Sequence, residues 1–525
     1  MQQLHDIAGA ARELAARAVQ AARALTKAGE TIDAHQVVVE RVAYAATEAR
    51  VIEALAAAPP ELAAAAAVAG AELASSLCHR LLAVAPALGI AEPRYDDPTR
   101  AAIAHGVDPA AVETLGETTL AAAGRLDWPL DDTLREVRAN VRTFADREVL
   151  PHAERIHHYD ELVPERFIAQ MAKLGYFGLS IPEQYGGNEL GNLAMILTTE
   201  ELSRASLAAA GSLITRPEIL AKALLAGGTN DQKQTWLPRL ASGELMAAIS
   251  VTEPGVGSDV ASITCRAERV TGGWAITGAK SWCTFAGRAD VVAVLARTGD
   301  SGARGLTLFI VDKPRFLGHE FRAQQPGGGS LVGKADRTPG YRGMHSFSLV
   351  FDQWLVPDAQ VVGGDAGIGR GFAFQMTGFA AGRLQTGGRA CGVIAAALEH
   401  TCRYVVDRHQ FGKPIGEFGL TRYSIGRIAA RLVASRAITY AAAIAMDHDE
   451  RAAAPVAAMA KLFACDGAVE MTQLGQLLHG GWGYAEEYPI SRYVADAQVL
   501  PIFEGVKPIL TLKVIARSLL ASGNR

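Results

Sequence analysis

Ser262-Ile-Thr-Cys-Arg-Ala-Glu-Arg-Val-Thr-Gly-Gly-Trp-Ala-Ile-Thr-Gly-Ala-Lys-Ser-Trp-Cys-Thr284 decides the fold. Two runs with β-branched residues, Ser262–Arg269 and Trp274–Trp282, flank Thr271-Gly272-Gly273, the chemistry of a hairpin turn. Ala289–Thr298, Gly305–Val311 and Ser346–Phe351 continue the short-strand pattern. No long helical period interrupts them, so the sheet is expected to be antiparallel. This β domain spans residues 246–365.

On both sides the apolar period lengthens to that of a helix. Residues 129–245 form an expected helical domain: Asp131-Asp132 precede an apolar face of Leu134, Val137, Val141 and Phe144. Helical periods recur at Phe167–Leu174 and Leu197–Leu224, punctuated by Pro182 and Gly186-Gly187. After the strands, Phe372–Arg408, Gly419–His448, Ala453–Leu478 and a last helix from Lys507 predict a C-terminal four-helix bundle over 366–525. The first 128 residues are rich in alanine, and Val38, Val42, Ala45, Ala49, Ile52 and Leu55 recur at helical spacing. Pro59-Pro60 breaks the pattern and Glu92–Pro98 reads as a linker. That segment is expected to be a helical extension with a fold of its own. The fold class is α+β, in the order α, α, β, α.

Composition narrows the function. Of 525 residues, 49% are hydrophobic and 20% charged, which excludes a chain disordered throughout. Fifty-one basic against fifty-five acidic residues give a net charge of −4, without blocks of one sign. Nucleic acid is therefore not an expected partner. Cys78, Cys265, Cys283, Cys391, Cys402 and Cys465 form no C-x-x-C pair, which suits a reducing compartment. The N-terminal residues lack an apolar signal core, and uncharged stretches such as Gly371–Gly382 fall short of a membrane span. A soluble cytoplasmic protein is expected.

Rossmann, P-loop and G-x-S-x-G motifs are missing. His157-His158 with Asp160 is a poor metal pattern, and no metal is expected. Three constellations can carry chemistry. Ser250–Asp259 (SVTEPGVGSD) is a loop of hydroxyls and glycines where a backbone can approach a ligand. Trp282-Cys283-Thr284 puts an aromatic plane beside a hydroxyl. Ile502-Phe503-Glu504-Gly505 reads as a glutamate on an apolar, strand-like segment, and an apolar pocket would raise its pKa toward that of a general base.

These stretches, together with Arg408-His-Gln-Phe-Gly-Lys-Pro414 and Gln476-Leu-Leu-His-Gly-Gly481, in this order, resemble the acyl-CoA dehydrogenases over residues 130–520. The resemblance implies FAD, held without covalent attachment at the junction of the β domain and the bundle. It implies cofactor contacts from Ile249, Val251, Thr252, Gly257, Ser258, Trp282 and Thr284. Arg408, Gln410, Phe411, Gln476 and Gly480 would reach the adenosine diphosphate part across a subunit interface, in a homodimer or homotetramer. Glu504 would be the base that takes the substrate's α proton, and Ser258, Arg383 and Gly505 would line the acyl-CoA site. The alternative base position of a sub-branch is Gly382 here. Electrons would pass to an electron-transfer flavoprotein.

Glu40–Thr47, Gly211–Ile219 and Gly340–Met344 are similar to the branch of the family that oxidises methylsuccinyl-CoA in the ethylmalonyl-CoA pathway. Arg216 is the expected partner of that substrate's carboxylate. Val506, Pro508, Phe285-Ala286 and Phe379–Arg383 depart from the pattern, and a different short or branched acyl-CoA, or an oxidase, is the alternative. A nucleic-acid-associated flavoprotein of this fold would need a basic C-terminal face. The last helix offers Lys507, Lys513, Arg517 and Arg525 only.

Overall fold

A computed structural model describes residues 2–521; Arg525 lies outside them. The chain forms two compact units. One is Val137–Gln385; the other joins the residues up to Glu136 with those from Thr386 onward.

The Val137–Gln385 unit holds the sheet. Its strands are β1 (Ala247–Ser250), β2 (Arg266–Val270), β3 (Gly273–Thr284), β4 (Val291–Arg297), β5 (Leu306–Asp312), β6 (Glu320–Gln324), β7 (Ser330–Ala335) and β8 (Ser346–Pro357). They run in the order β1-β4-β2-β3-β8-β7-β6, with β5 on β4. The hairpin read from Thr271-Gly272-Gly273 is β2–β3, with Val270 opposite Gly273. Most ladders are antiparallel, but β1 and β2 each meet β4 in parallel. The expectation of a purely antiparallel sheet is corrected there: the β2–β3 hairpin is long enough to act as a crossover between β1 and β4.

Helices Thr215–Gly227 and Asn230–Ala241 cover one face of this sheet. Leu220, Leu224, Leu237 and Leu240 pack there with Val291, Leu295, Leu306, Leu308 and Ile310. Thr229 and Gln232 cap the second helix reciprocally. On the Gly191–Ala205 helix, Glu201 is buried among Arg138 (2.7 Å), Arg142 (2.9 Å) and Arg204 (3.1 Å). Burial pushes its pKa up, and the three guanidiniums overcome this to hold it at about 2.

The second unit overturns one expectation. The extension is not a fold of its own: its helices pack among those of the C-terminal part. The reason is visible at small residues. A Cβ at Gly116 would collide with the Arg422 carbonyl, and one at Gly426 with the Val112 carbonyl, so the Pro109–Ala121 and Gly419–His448 helices meet backbone to backbone. Tyr44 donates to Asp466 at 2.6 Å, and Lys507 pairs with the same carboxylate at 2.8 Å. Three helices here, Pro60–Leu82, Gly419–His448 and Glu450–Tyr484, are long and apolar enough to cross a membrane. That corrects the reading from uncharged runs alone, because alanine-rich helices stay apolar around one or two charges. Most of each apolar window is buried inside the protein.

Candidate active site

In the sheet-bearing unit, β1 leads into the Val251–Asp259 loop, and Glu253 anchors it. The Glu253 carboxylate accepts from the Thr264 N–H (2.7 Å), the Thr264 hydroxyl (2.8 Å), the Cys265 N–H (2.8 Å) and Lys280 Nζ (3.0 Å). Lys280 is fully buried and also donates to the Val251 carbonyl at 2.9 Å. Burial opposes the charge on Glu253, but Lys280 and the backbone donors hold its pKa below the usual range. The Ser281 N–H ties the Thr252 carbonyl to β3 at 2.8 Å. Ile249, Val251 and Thr252 are thus fixed, while Gly257 and Ser258 lie exposed at the loop tip. A Cβ at Gly255 would meet nothing, and one at Gly257 only Thr252 Cγ2 at 3.9 Å. The loop keeps its backbone open to a ligand.

Next to it, β3 carries a bulge. Lys280 faces Leu349 but Cys283 faces Phe347, so one extra residue is accommodated. Trp282 sits in that bulge at φ +58°, strained for a non-glycine residue, and its side chain is 58% exposed. It is therefore not a core tryptophan. Thr284, two residues on, is buried with its hydroxyl 3.1 Å from that of Ser346. An exposed indole, a buried hydroxyl and an open glycine loop within one unit fit a flat polar ring such as a flavin. Burial pushes the Cys283 thiol up to about 12, and the charge of Arg216 is felt there. Arg216 is 6% exposed on the Thr215–Gly227 helix, not a solvent arginine. Arg383 is half-buried on the Gly371–Asp407 helix. Both amide atoms of buried Gln385 on that helix lack a hydrogen-bond partner.

In the second unit, Ile502–Gly505 is a turn rather than the expected strand, with Glu504 at φ +53° and Gly505 at φ +105°. The apolar pocket expected around Glu504 is also corrected. Its side chain, 6% exposed, pairs with the fully buried Arg389 at 2.5 Å and accepts a hydrogen bond from the Thr386 hydroxyl. Arg389 donates to Thr386 Oγ1 at 2.6 Å and lies over the Phe503 ring at 4.6 Å. Buried Lys461 donates to the Gly505 carbonyl at 2.6 Å. The turn is locked on both sides of the carboxylate.

The remaining expected residues are on the outside of this unit. Arg408, Gln410 and Phe411 are exposed on a hairpin of β9 (His409–Gln410) and β10 (Lys413–Pro414), where Phe411 is 94% exposed. Gln476 donates to the Gly483 carbonyl at 2.9 Å, and Gly480, at φ +61°, is exposed with nothing near its missing Cβ.

Family models for the N-terminal, middle and C-terminal domains of acyl-CoA dehydrogenases match residues 131–244, 248–354 and 369–520. The chain belongs to the acyl-CoA dehydrogenase family. It is 40% identical over 408 residues to a (2S)-methylsuccinyl-CoA dehydrogenase of Cereibacter sphaeroides, covering 77% of this chain and 72% of that protein. Among solved structures, butyryl-CoA dehydrogenase from Megasphaera elsdenii superposes with a TM-score of 0.69 at 28% identity, over 75% of this chain and all of that one. A chain from a study of the electron transferring flavoprotein of Acidaminococcus fermentans gives the same TM-score and identity over 76% of this chain and all of that one. This acyl-CoA dehydrogenase is a flavin-dependent oxidoreductase with FAD as its cofactor. The open loop and the exposed Trp282 fit that group.

Sequence reasoning missed Arg389, Lys461, Glu253 and Lys280. An arginine or lysine inside a helix or strand reads as a solvated face residue. Glu253 alone carried a signal: it sits inside a loop already chosen for its glycines.

Proposed function

We propose that this acyl-CoA dehydrogenase converts (2S)-methylsuccinyl-CoA to mesaconyl-CoA and passes the electrons to an electron-transfer flavoprotein. The observation that carries the substrate is the 40% identity with the Cereibacter sphaeroides enzyme. Buried Arg216 adds support, since a short acyl group ending in a carboxylate needs a buried cation. The similarity to a chain from the Acidaminococcus fermentans study favours the electron acceptor. A homodimer or homotetramer in the cytoplasm completes the reading. The exposed Phe411, Leu420, Leu477 and Tyr484 are apolar surface suited to a second subunit.

FAD supplies the two-electron acceptor. Glu504 takes the α proton on the carboxylate that Arg389 and Thr386 hold. Thr252, Ser258 and Thr284 offer the cofactor hydroxyl contacts, and Trp282 offers it an aromatic face. Arg216 holds the substrate's carboxylate. Arg383 and Gly505 border the thioester and its CoA chain.

The test is reduction of an artificial dye by the purified yellow protein with methylsuccinyl-CoA, 2-methylbutyryl-CoA, isovaleryl-CoA, butyryl-CoA and glutaryl-CoA. Methylsuccinyl-CoA should give the highest kcat/KM; a higher value for an uncharged thioester would sink the substrate assignment. Glu504→Gln should keep bound FAD and lose dehydrogenation about a hundredfold or more. Rapid reoxidation of the reduced flavin by oxygen would favour an oxidase.

A further inference from the structure

We propose that Asp160, His319 and His345 form a binding site for one divalent first-row transition metal ion. The three residues come from distant parts of the sheet-bearing unit. Asp160 follows the Leu150–His158 helix, His319 precedes β6, and His345 precedes β8. One donor atom from each lies within 4.8 Å of the others.

The distances suit a metal. His345 Nε2 is 3.1 Å from Asp160 Oδ1 and 3.1 Å from His319 Nε2, and His319 Nε2 is 4.0 Å from Asp160 Oδ2. Bonds of about 2.1 Å to one ion put neighbouring donors about 3.0–3.4 Å apart at angles between octahedral and tetrahedral. Two of the three spacings already meet that figure, and a small turn of the half-exposed His319 closes the third.

Hydrogen bonding points the same way. His345 Nδ1 lies 3.3 Å from the Gly343 carbonyl, and with the proton on that nitrogen Nε2 presents its lone pair to the cluster, where the ring is 4% exposed. Arg342 Nε, 3.6 Å from Asp160 Oδ1, is committed to the Thr338 carbonyl, and its Nη1 to that of His157. It balances the carboxylate's charge from outside the donor cluster.

The backbone is held for this geometry. Asp160 and His345 adopt φ of +55° and +45°, conformations rare for residues with a Cβ. Such strain collects where a function over-determines the local structure. Two imidazoles and one carboxylate select zinc, cobalt, iron or manganese over calcium or magnesium. Three protein ligands leave the remaining positions to water. The ion would tie the turn at Asp160 to the loops entering β6 and β8. His157 and His158, the pair that stands out in the sequence beside Asp160, lie outside the cluster.

The test uses the FAD-loaded enzyme, dialysed against a chelator and titrated with zinc by calorimetry and with cobalt by its visible spectrum. One equivalent per chain is expected, with a rise in melting temperature. His319→Ala changes a half-exposed side chain and should fold; it should weaken binding about tenfold or more and abolish the thermal shift. Asp160→Asn should weaken binding as well, and His158→Ala should leave it unchanged. No binding at millimolar metal would overturn the proposal, leaving a proton shared by the cluster. Binding unaltered in both His319→Ala and Asp160→Asn would overturn it too.

Discussion

Replacing Arg389 by leucine tests the lock around Glu504. The two side chains are 0% and 6% exposed and 2.5 Å apart, so solvent cannot replace the guanidinium beside the carboxylate. Removing one partner of such a pair costs about 3–5 kcal/mol, whereas replacing both by neutral groups is close to neutral. At about 2 °C per kcal/mol for large domains, Arg389→Leu should lower the melting temperature by roughly 6–10 °C. The double variant Arg389→Leu/Glu504→Gln should recover most of that loss. The single Glu504→Gln leaves the guanidinium with Thr386 and the Phe503 ring, and should fall between the two. Differential scanning fluorimetry in excess FAD gives all three values on one scale, and flavin absorbance reports cofactor occupancy. Additive losses, with the double variant no more stable than Arg389→Leu, would show that the pair contributes nothing as a pair and that arginine packing alone matters.

Arg408→Ala should purify with less FAD and a smaller oligomer, read by flavin-to-protein absorbance and light scattering; wild-type values for both would make Arg408 an ordinary surface residue. Arg216→Leu should cut kcat/KM for methylsuccinyl-CoA by tens to thousands-fold, about 2–4 kcal/mol, and spare 2-methylbutyryl-CoA. Equal losses on both thioesters would mean that Arg216 shapes the pocket without sensing charge. Glu201 titrates at about 2 in the folded chain against 4.5 unfolded, so its contribution is complete above pH 4.5 and is lost as pH falls toward 2. The gap in thermal stability between wild type and Glu201→Gln should therefore be widest near neutrality, on the order of 3 kcal/mol, and shrink between pH 4.5 and 2. A gap that stays constant over that range would contradict the assignment of the charge to Glu201.

The order of elements, the β2–β3 hairpin and the limits of the three long helices after the sheet were legible in the sequence because they depend on neighbours a few residues apart. Apolar period, Thr-Gly-Gly turn chemistry and the Asp131 cap, whose carboxylate accepts from the Leu134 N–H at 2.8 Å, are all local. The motifs likewise carried the family, since each is a short run in a fixed order. Tertiary structure decided what happens between distant residues. Arg389 meets Glu504 across 115 positions, His345 meets Asp160 across 185, and Tyr44 reaches Asp466 across 422. No period or composition encodes such pairs, because a buried charge is stabilised only by the partner that the fold brings to it. The same holds for the extension. Its alanines and glycines announce helices that pack closely, but only the assembled backbone shows that Gly116 and Gly426 lie where the Pro109–Ala121 and Gly419–His448 helices touch, making the N-terminal and C-terminal parts one body.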